Sequence, residues 1–226
     1  MTVRFWVRRL AALCAGCGTL PLLAAVAFLL APWLRAERDA GPEVARPTVV
    51  DPEVERIDSI LVRRAPGLGG TLRGQLAAAI ATEARSAGFD PLLIVAVIDV
   101  ESDFEDDAVS AKGARGLMQI RPSTLQFVAQ TEGLRLSSDE ISRDAALQVR
   151  LGIRYLKRLH GQFGDLDLAL MAYNAGPSRI REALREDGLE GFRRYARLVQ
   201  RDYMRFRGAM GLAGDWAVAA RETSVE

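Results

Sequence analysis

Val100-Glu101-Ser102-Asp103-Phe104, followed by Ala108-Val109-Ser110 and by Gly113-Ala114-Arg115-Gly116-Leu117-Met118-Gln119-Ile120, joins the end of an apolar segment to a glycine-punctuated one. The residues leading into it are apolar on nearly every side: Leu92, Leu93, Ile94, Val95, Val97, Ile98 and Val100. A helix without a polar stripe belongs inside a core. Asp90 stands where an N-cap is needed, and Pro91 takes the first helical position, where its missing N–H costs nothing. The helix predicted over 91–102 thus ends by carrying Glu101. That side chain follows Ile98 and Val97 by three and four residues and shares their face. A carboxyl among aliphatic neighbours has a raised pKa, because desolvation disfavours the anion. A proton donor working near neutral pH needs that shift. Beyond the helix, 103–120 lacks periodicity and reads as a loop with short strand pairing. Gly113 and Gly116 allow conformations barred to other residues, so the loop can fold back and bring Met118 and Gln119 toward Glu101.

On the N-terminal side, a helix is predicted over 71–87, with Leu72, Leu76, Ile80 and Ala84 on one stripe and Gly88 just past its end. Arg121-Pro122-Ser123 opens another, to about 131. A long helix follows over 144–163, with Leu147, Leu151, Tyr155 and Leu159 aligned, and Asp165 caps one reaching 174. Pro177 starts a helix to 186, and 192–206 forms the last. The expected fold class is mainly α.

About fifty residues after the first stretch comes Ala172-Tyr173-Asn174-Ala175-Gly176-Pro177. Together, in this order and at this distance, the two stretches resemble the soluble, SLT-type lytic transglycosylases, which cut the glycan strands of bacterial peptidoglycan. The resemblance covers roughly 71–203. It implies a lysozyme-like catalytic domain, similar to goose-type lysozyme, that works with one glutamate. On that reading Glu101 is the catalytic acid and then the base. It protonates the oxygen between N-acetylmuramic acid and N-acetylglucosamine, and its carboxylate then takes the proton of the C6 hydroxyl, which closes a 1,6-anhydro ring. Ser110 matches the serine near the substrate's acetamido group, and Gln119 offers donors and an acceptor to sugar hydroxyls. Tyr173 matches the tyrosine that points toward the glutamate, and Asn174 the asparagine lining the cleft. Met118 joins the substrate-binding candidates, with core packing as its other reading. Gly152 and Tyr155-Leu156 match a further family segment with scaffold roles.

The chain also departs from the family pattern. Gln148 stands where asparagine is usual, Arg121 where methionine is common, and acidic residues replace the proline after Phe104. Gly191-Phe192-Arg193 takes the place of a Glu-Thr-Arg, so one carboxylate that lies by the cleft in relatives is absent. A second catalytic carboxylate, which most glycosidases use, would have to come from Asp103, Glu105, Asp106 or Asp107. Two rival readings follow. One is a hydrolytic muramidase of the same fold, and the other is a non-catalytic glycan-binding scaffold in an envelope machine.

Leu10 to Leu34 contains no charge and follows Arg4, Arg8 and Arg9. Twenty-five such residues exceed the ~20 that span a bilayer as helix, and basic residues before the span hold its N-terminus in the cytoplasm. Residues 1–34 are therefore read as an uncleaved signal anchor, with a cleaved export signal as the other reading. Either route places the rest on the periplasmic side of the cell envelope. Residues 35–70, with Pro42, Pro47, Pro52 and Pro66 among charges, read as a tether with a short helix over 52–64. The catalytic domain is expected over 71–207, and 208–226 is expected to be a loosely ordered tail. Leu and Ala outnumber Val and Ile, which favours helix. Lysine and arginine (30) nearly balance the carboxylates (29), which gives no case for nucleic acid. His160 is the only histidine, and Cys14 and Cys17 lie inside the apolar run. No metal and no cofactor are expected. The expected partners are peptidoglycan glycan strands and, through the first helix, the membrane.

Overall fold

A computed structural model describes residues 51–212 and 215–220. The anchor expected at 1–34 lies outside the described residues. Within them, no helix is long and apolar enough to cross a membrane. The helices in chain order are α1 (Pro52–Arg64), α2 (Gly70–Ala87), α3 (Pro91–Ser102), α4 (Pro122–Thr131), α5 (Ser138–Arg143), α6 (Ala145–Phe163), α7 (Leu166–Ala175), α8 (Pro177–Arg185) and α9 (Arg193–Ala209). Short 3-10 turns occupy Leu189–Phe192 and Trp216–Val218. The described residues hold isolated β-bridges but no named strand, so the fold is mainly α, as the periodicity predicts.

Helix α3 is the centre. Leu92, Leu93, Ile94, Val95, Ala96 and Val97 are fully buried. Its start is pinned by Asp90, whose carboxylate accepts from the Leu92 N–H at 2.9 Å, the Tyr203 hydroxyl at 2.8 Å and the Arg207 guanidinium at 2.6 Å. Because Tyr203 and Arg207 belong to α9, one cap residue ties the first turn of α3 to the last helix. Helix α2 packs between α1 and α6, and α7 bridges α6 and α9.

Two segments depart from expectation. Pro52–Arg64, predicted as a helix within a tether, is helical, yet Ile57, Ile60 and Leu61 on it are buried in the common core. Asp51 caps it and Arg64 pairs with Asp99 and Asp103, so the compact unit begins near Val50. The tail is also tied down in part. Ala219 is fully buried, its carbonyl accepts from the Asp90 N–H at 3.0 Å, and Ala220 bridges to Phe89. Trp216 sets its ring edge-on to Tyr203 and donates its indole N–H to Asp167 at 3.1 Å.

Candidate active site

Helix α3 ends because Asp103 and Phe104 both adopt positive φ, 50° and 67°. Two consecutive non-glycine residues in that region are uncommon and costly, and they persist only where surroundings hold them. Phe104 is the wedge. It is 3 % exposed, meets Phe206 edge-on and lies under the Arg64 guanidinium. The chain then turns back along 108–120. Arg115 bridges to Val109 and Ile120, and the Gly116 N–H donates to Ala108. Ser102, buried beside Glu101, donates its hydroxyl to the Leu117 carbonyl at 2.9 Å, which anchors the returning loop to α3.

Packing against α6 fixes the depth of that loop. A Cβ on Gly152 would come within 2.6 Å of the Met118 sulfur and 2.9 Å of the Ile120 Cδ1, so the two side chains rest directly on helix backbone. A Cβ on Gly116, whose φ is +72°, would sit 2.4 Å from the Gln148 Oε1. The glutamine that replaces the usual asparagine thus packs onto the loop backbone.

These elements enclose a cavity of about 430 Å³ lined by Glu101, Ser110, Gln119, Tyr173 and Asn174, with Tyr155, Lys112, Arg121 and Thr124. Five of the six residues singled out in the sequence therefore converge. Met118 does not line it: its side chain is buried, and only its carbonyl serves, accepting from the Tyr173 hydroxyl at 2.7 Å. Ser110 accepts the Ala114 N–H on its hydroxyl oxygen at 3.0 Å, which leaves the hydroxyl proton to donate. Gln119 spends its amide N–H groups on the Ala108 and Gly116 carbonyls, both at 2.9 Å, so its carbonyl oxygen remains for a ligand.

Glu101 is the only carboxylate among the described residues lining this cavity. Asp103 is turned to Arg64, while Asp106 and Asp107 line a separate cavity of about 230 Å³ behind the loop. Burial pushes the Glu101 carboxyl from 4.5 up to about 7, against the opposing pull of a hydrogen bond donated by the Tyr195 hydroxyl at 2.6 Å. Desolvation wins because that single donor offsets only part of the lost hydration. In turn, burial and the Glu101 charge raise the pKa of both Tyr173 and Tyr195.

Tyr195 is the residue missed in the sequence. It follows the Gly191-Phe192-Arg193 segment, which itself forms a 3-10 turn and the start of α9 and contributes nothing to the cavity lining. A signal was present. The chain has four tyrosines, and Tyr155, Tyr173 and Tyr195 all gather here. Tyr155 packs against Tyr173 with ring centroids 5.7 Å apart.

A family profile, the transglycosylase SLT domain, matches residues 78–195, just over half of the chain. The chain belongs to this SLT domain family. Among curated relatives, membrane-bound lytic murein transglycosylase D of Escherichia coli is 31% identical over 103 residues, 45% of this chain and 22% of its own length. Membrane-bound lytic murein transglycosylase F of Desulfosudis oleivorans is 32% identical over 103 residues, 42% of this chain and 21% of its own. The chain thus spans about a fifth of these relatives. The SLT domain fold is shared with the 70 kDa soluble lytic transglycosylase of Escherichia coli, at a TM-score of 0.56 and 22% identity over 67% of this chain and 28% of that one. An inactive mutant of lytic transglycosylase Slt from Pseudomonas aeruginosa superposes at a TM-score of 0.53, with 22% identity, 84% of this chain and 43% of that chain covered.

Proposed function

We propose that this SLT domain protein is a lytic transglycosylase that cleaves peptidoglycan strands without water, in the periplasmic part of the cell envelope. The observation that carries the reading is the isolation of Glu101 as the one carboxylate among the described residues that lines the cavity. A two-carboxylate glycosidase would need an acid and a second group within roughly 5–10 Å to act as nucleophile or base. A single glutamate suits a reaction in which one group serves both roles.

The protonated Glu101 donates to the glycosidic oxygen, and the bond from that oxygen to C1 of N-acetylmuramic acid breaks. The substrate's acetamido carbonyl stabilises the positive C1 centre, oriented by the free proton of Ser110. Glu101, now ionised, takes the proton of the C6 hydroxyl as that oxygen attacks C1. The ring closes to the 1,6-anhydro product, and the enzyme returns to its protonated form. The family membership, the activities for which the relatives are named and the raised pKa all support this sequence of events.

The test is mass spectrometry of sacculi digested by the full-length chain, with Glu101→Gln alongside. Anhydro ends from the wild type alone are expected. Reducing ends would establish hydrolysis instead, and an absence of new ends with strands still bound would establish a non-catalytic glycan binder.

A further inference from the structure

The C-terminal end of α3 carries Asp99, Glu101 and Asp103, and its last turn holds no basic residue. That end is the negative pole of the helix dipole, which acidic groups do not suit. Asp99 and Asp103, four residues apart, also repel each other along one face. The compensating charge comes from other helices. One nitrogen of the Arg64 guanidinium donates to both carboxylates, and Arg205 of α9 donates to the second oxygen of Asp99. Arg64 follows Leu61 and Ile60 by three and four residues, so the burial of those two turns it inward from α1. Its guanidinium also lies 5.5 Å from the Phe104 ring centroid. Arg64 thus grips the chain on both sides of Glu101, at Asp99 before it and at Asp103 and Phe104 after it. The Asp103 N–H closes the same turn on the Asp99 carbonyl at 3.1 Å. Glu101 sits inside this bracket, with its carboxylate held at 2.6 Å by Tyr195 of α9. Arg64 and Arg205 both fall outside residues 78–195, which the family profile matches.

We infer that Arg64 is a positioning residue for Glu101, acting through Asp99 and Asp103, so that the catalytic unit begins at α1. The inference rests on the proposed reading of Glu101 as the acid and deepens it. Arg64 does not line the cavity. Its part is to hold the last turn of α3 where the acid meets the glycosidic oxygen. A misplacement of about 1 Å can cost on the order of a hundredfold in rate, so a contact this far from the substrate bears on turnover.

The test follows anhydro-end formation from soluble glycan strands by the full chain and its variants, over a range of strand concentrations, alongside thermal unfolding. Arg64→Gln, assayed well below its unfolding midpoint, is expected to lower kcat about tenfold while KM stays within about twofold. Arg64→Lys should keep most of the rate, because one ammonium can bridge the two carboxylates as the one nitrogen does. In an Asp99→Asn background the Arg64→Gln loss should shrink to about threefold, since the two residues act through one contact. Arg63→Gln, at the exposed neighbouring position, should match the wild type. An unchanged kcat for Arg64→Gln would overturn the inference. So would a Lys variant as slow as the Gln one, or losses from Arg64→Gln and Asp99→Asn that simply multiply. A rate that returns to the wild-type value once the variant is fully folded would mark a purely structural role and overturn it too. Strands left without anhydro ends by the wild type would overturn the proposed function and the inference with it, whereas a fast Arg64→Gln leaves that function standing.

Discussion

Glu101 is poised between two opposing influences, and each makes a distinct prediction. Burial raises its pKa to about 7, and the Tyr195 hydrogen bond favours the carboxylate and pulls the value down. Because the acid must start protonated, activity should fall on the alkaline side with an apparent pKa near 7, losing about tenfold per pH unit well above it. Tyr195→Phe removes the downward pull, so the alkaline limb should move to higher pH while the maximal rate drops through looser positioning. A pH–rate profile of the variant that leaves the limb in place would show that Tyr195 does not tune the acid. Stability should follow the same titration. The folded state holds a proton that the unfolded chain releases above about 4.5, so stability falls as pH rises between roughly 4.5 and 7. Glu101→Gln carries no such burden. Denaturant unfolding should therefore show the variant gaining on the wild type from near zero at about pH 4 to on the order of 3 kcal/mol at about pH 8.

Helix α6 and the loop 103–120 form one functional element, because the loop is positioned by what α6 lacks. Gly152→Ala would drive a methyl into Met118 and Ile120, which both carry backbone that shapes the cavity. Overpacking of this kind costs roughly 1–3 kcal/mol, so thermal unfolding should show that loss. Turnover should fall as well, since the displaced Met118 carbonyl holds Tyr173. A variant with normal activity would mean the loop can shift freely without affecting the site. At this scale much was legible in advance. Asp90-Pro91 announces the start of α3, Gly164 ends α6, and Asp165 caps α7. Ser138–Arg143 was not foreseen although Ser137 and Glu140 form a capping box there, because six residues are too few for apolar periodicity to register. Met118 was legible only as an apolar residue in a loop. Its burial follows from Gly152, thirty-four positions away, and such tertiary contacts leave no local pattern.

For the molecule as a whole, the helix that carries Glu101 is held by residues far away in the chain as much as by its own neighbours in sequence. Helix α1 was read as part of a tether because prolines and charges surround it. Yet Asp51-Pro52 is also a helix start, and the apolar triplet Ile57, Ile60, Leu61 falls on one face. A three-residue stripe is too short to distinguish a docked helix from a free one, and only its packing against α2 and α3 decides between them. Arg64 then reaches across to Asp99 on α3, two residues before Glu101, and Arg205 of α9 reaches the same carboxylate. Asp99 is 6 % exposed at its side chain, a burial at which losing one partner leaves a charge poorly compensated. It follows that starting the chain at residue 71 would remove more than a spacer. Leu61→Ala in the full chain isolates the packing part of that claim and should cost roughly 2–5 kcal/mol, the usual range for a buried leucine. Arg64→Ala should cost less stability but loosen the end of α3. Its effect should appear as lowered turnover together with a drop in the unfolding midpoint smaller than that of Leu61→Ala, because Arg205 still pairs with Asp99 while Phe104 loses the guanidinium above its ring. Denaturant unfolding and steady-state cleavage of sacculi, measured on both variants, separate the two roles. If Leu61→Ala unfolds at the wild-type midpoint, α1 does not contribute to the common core.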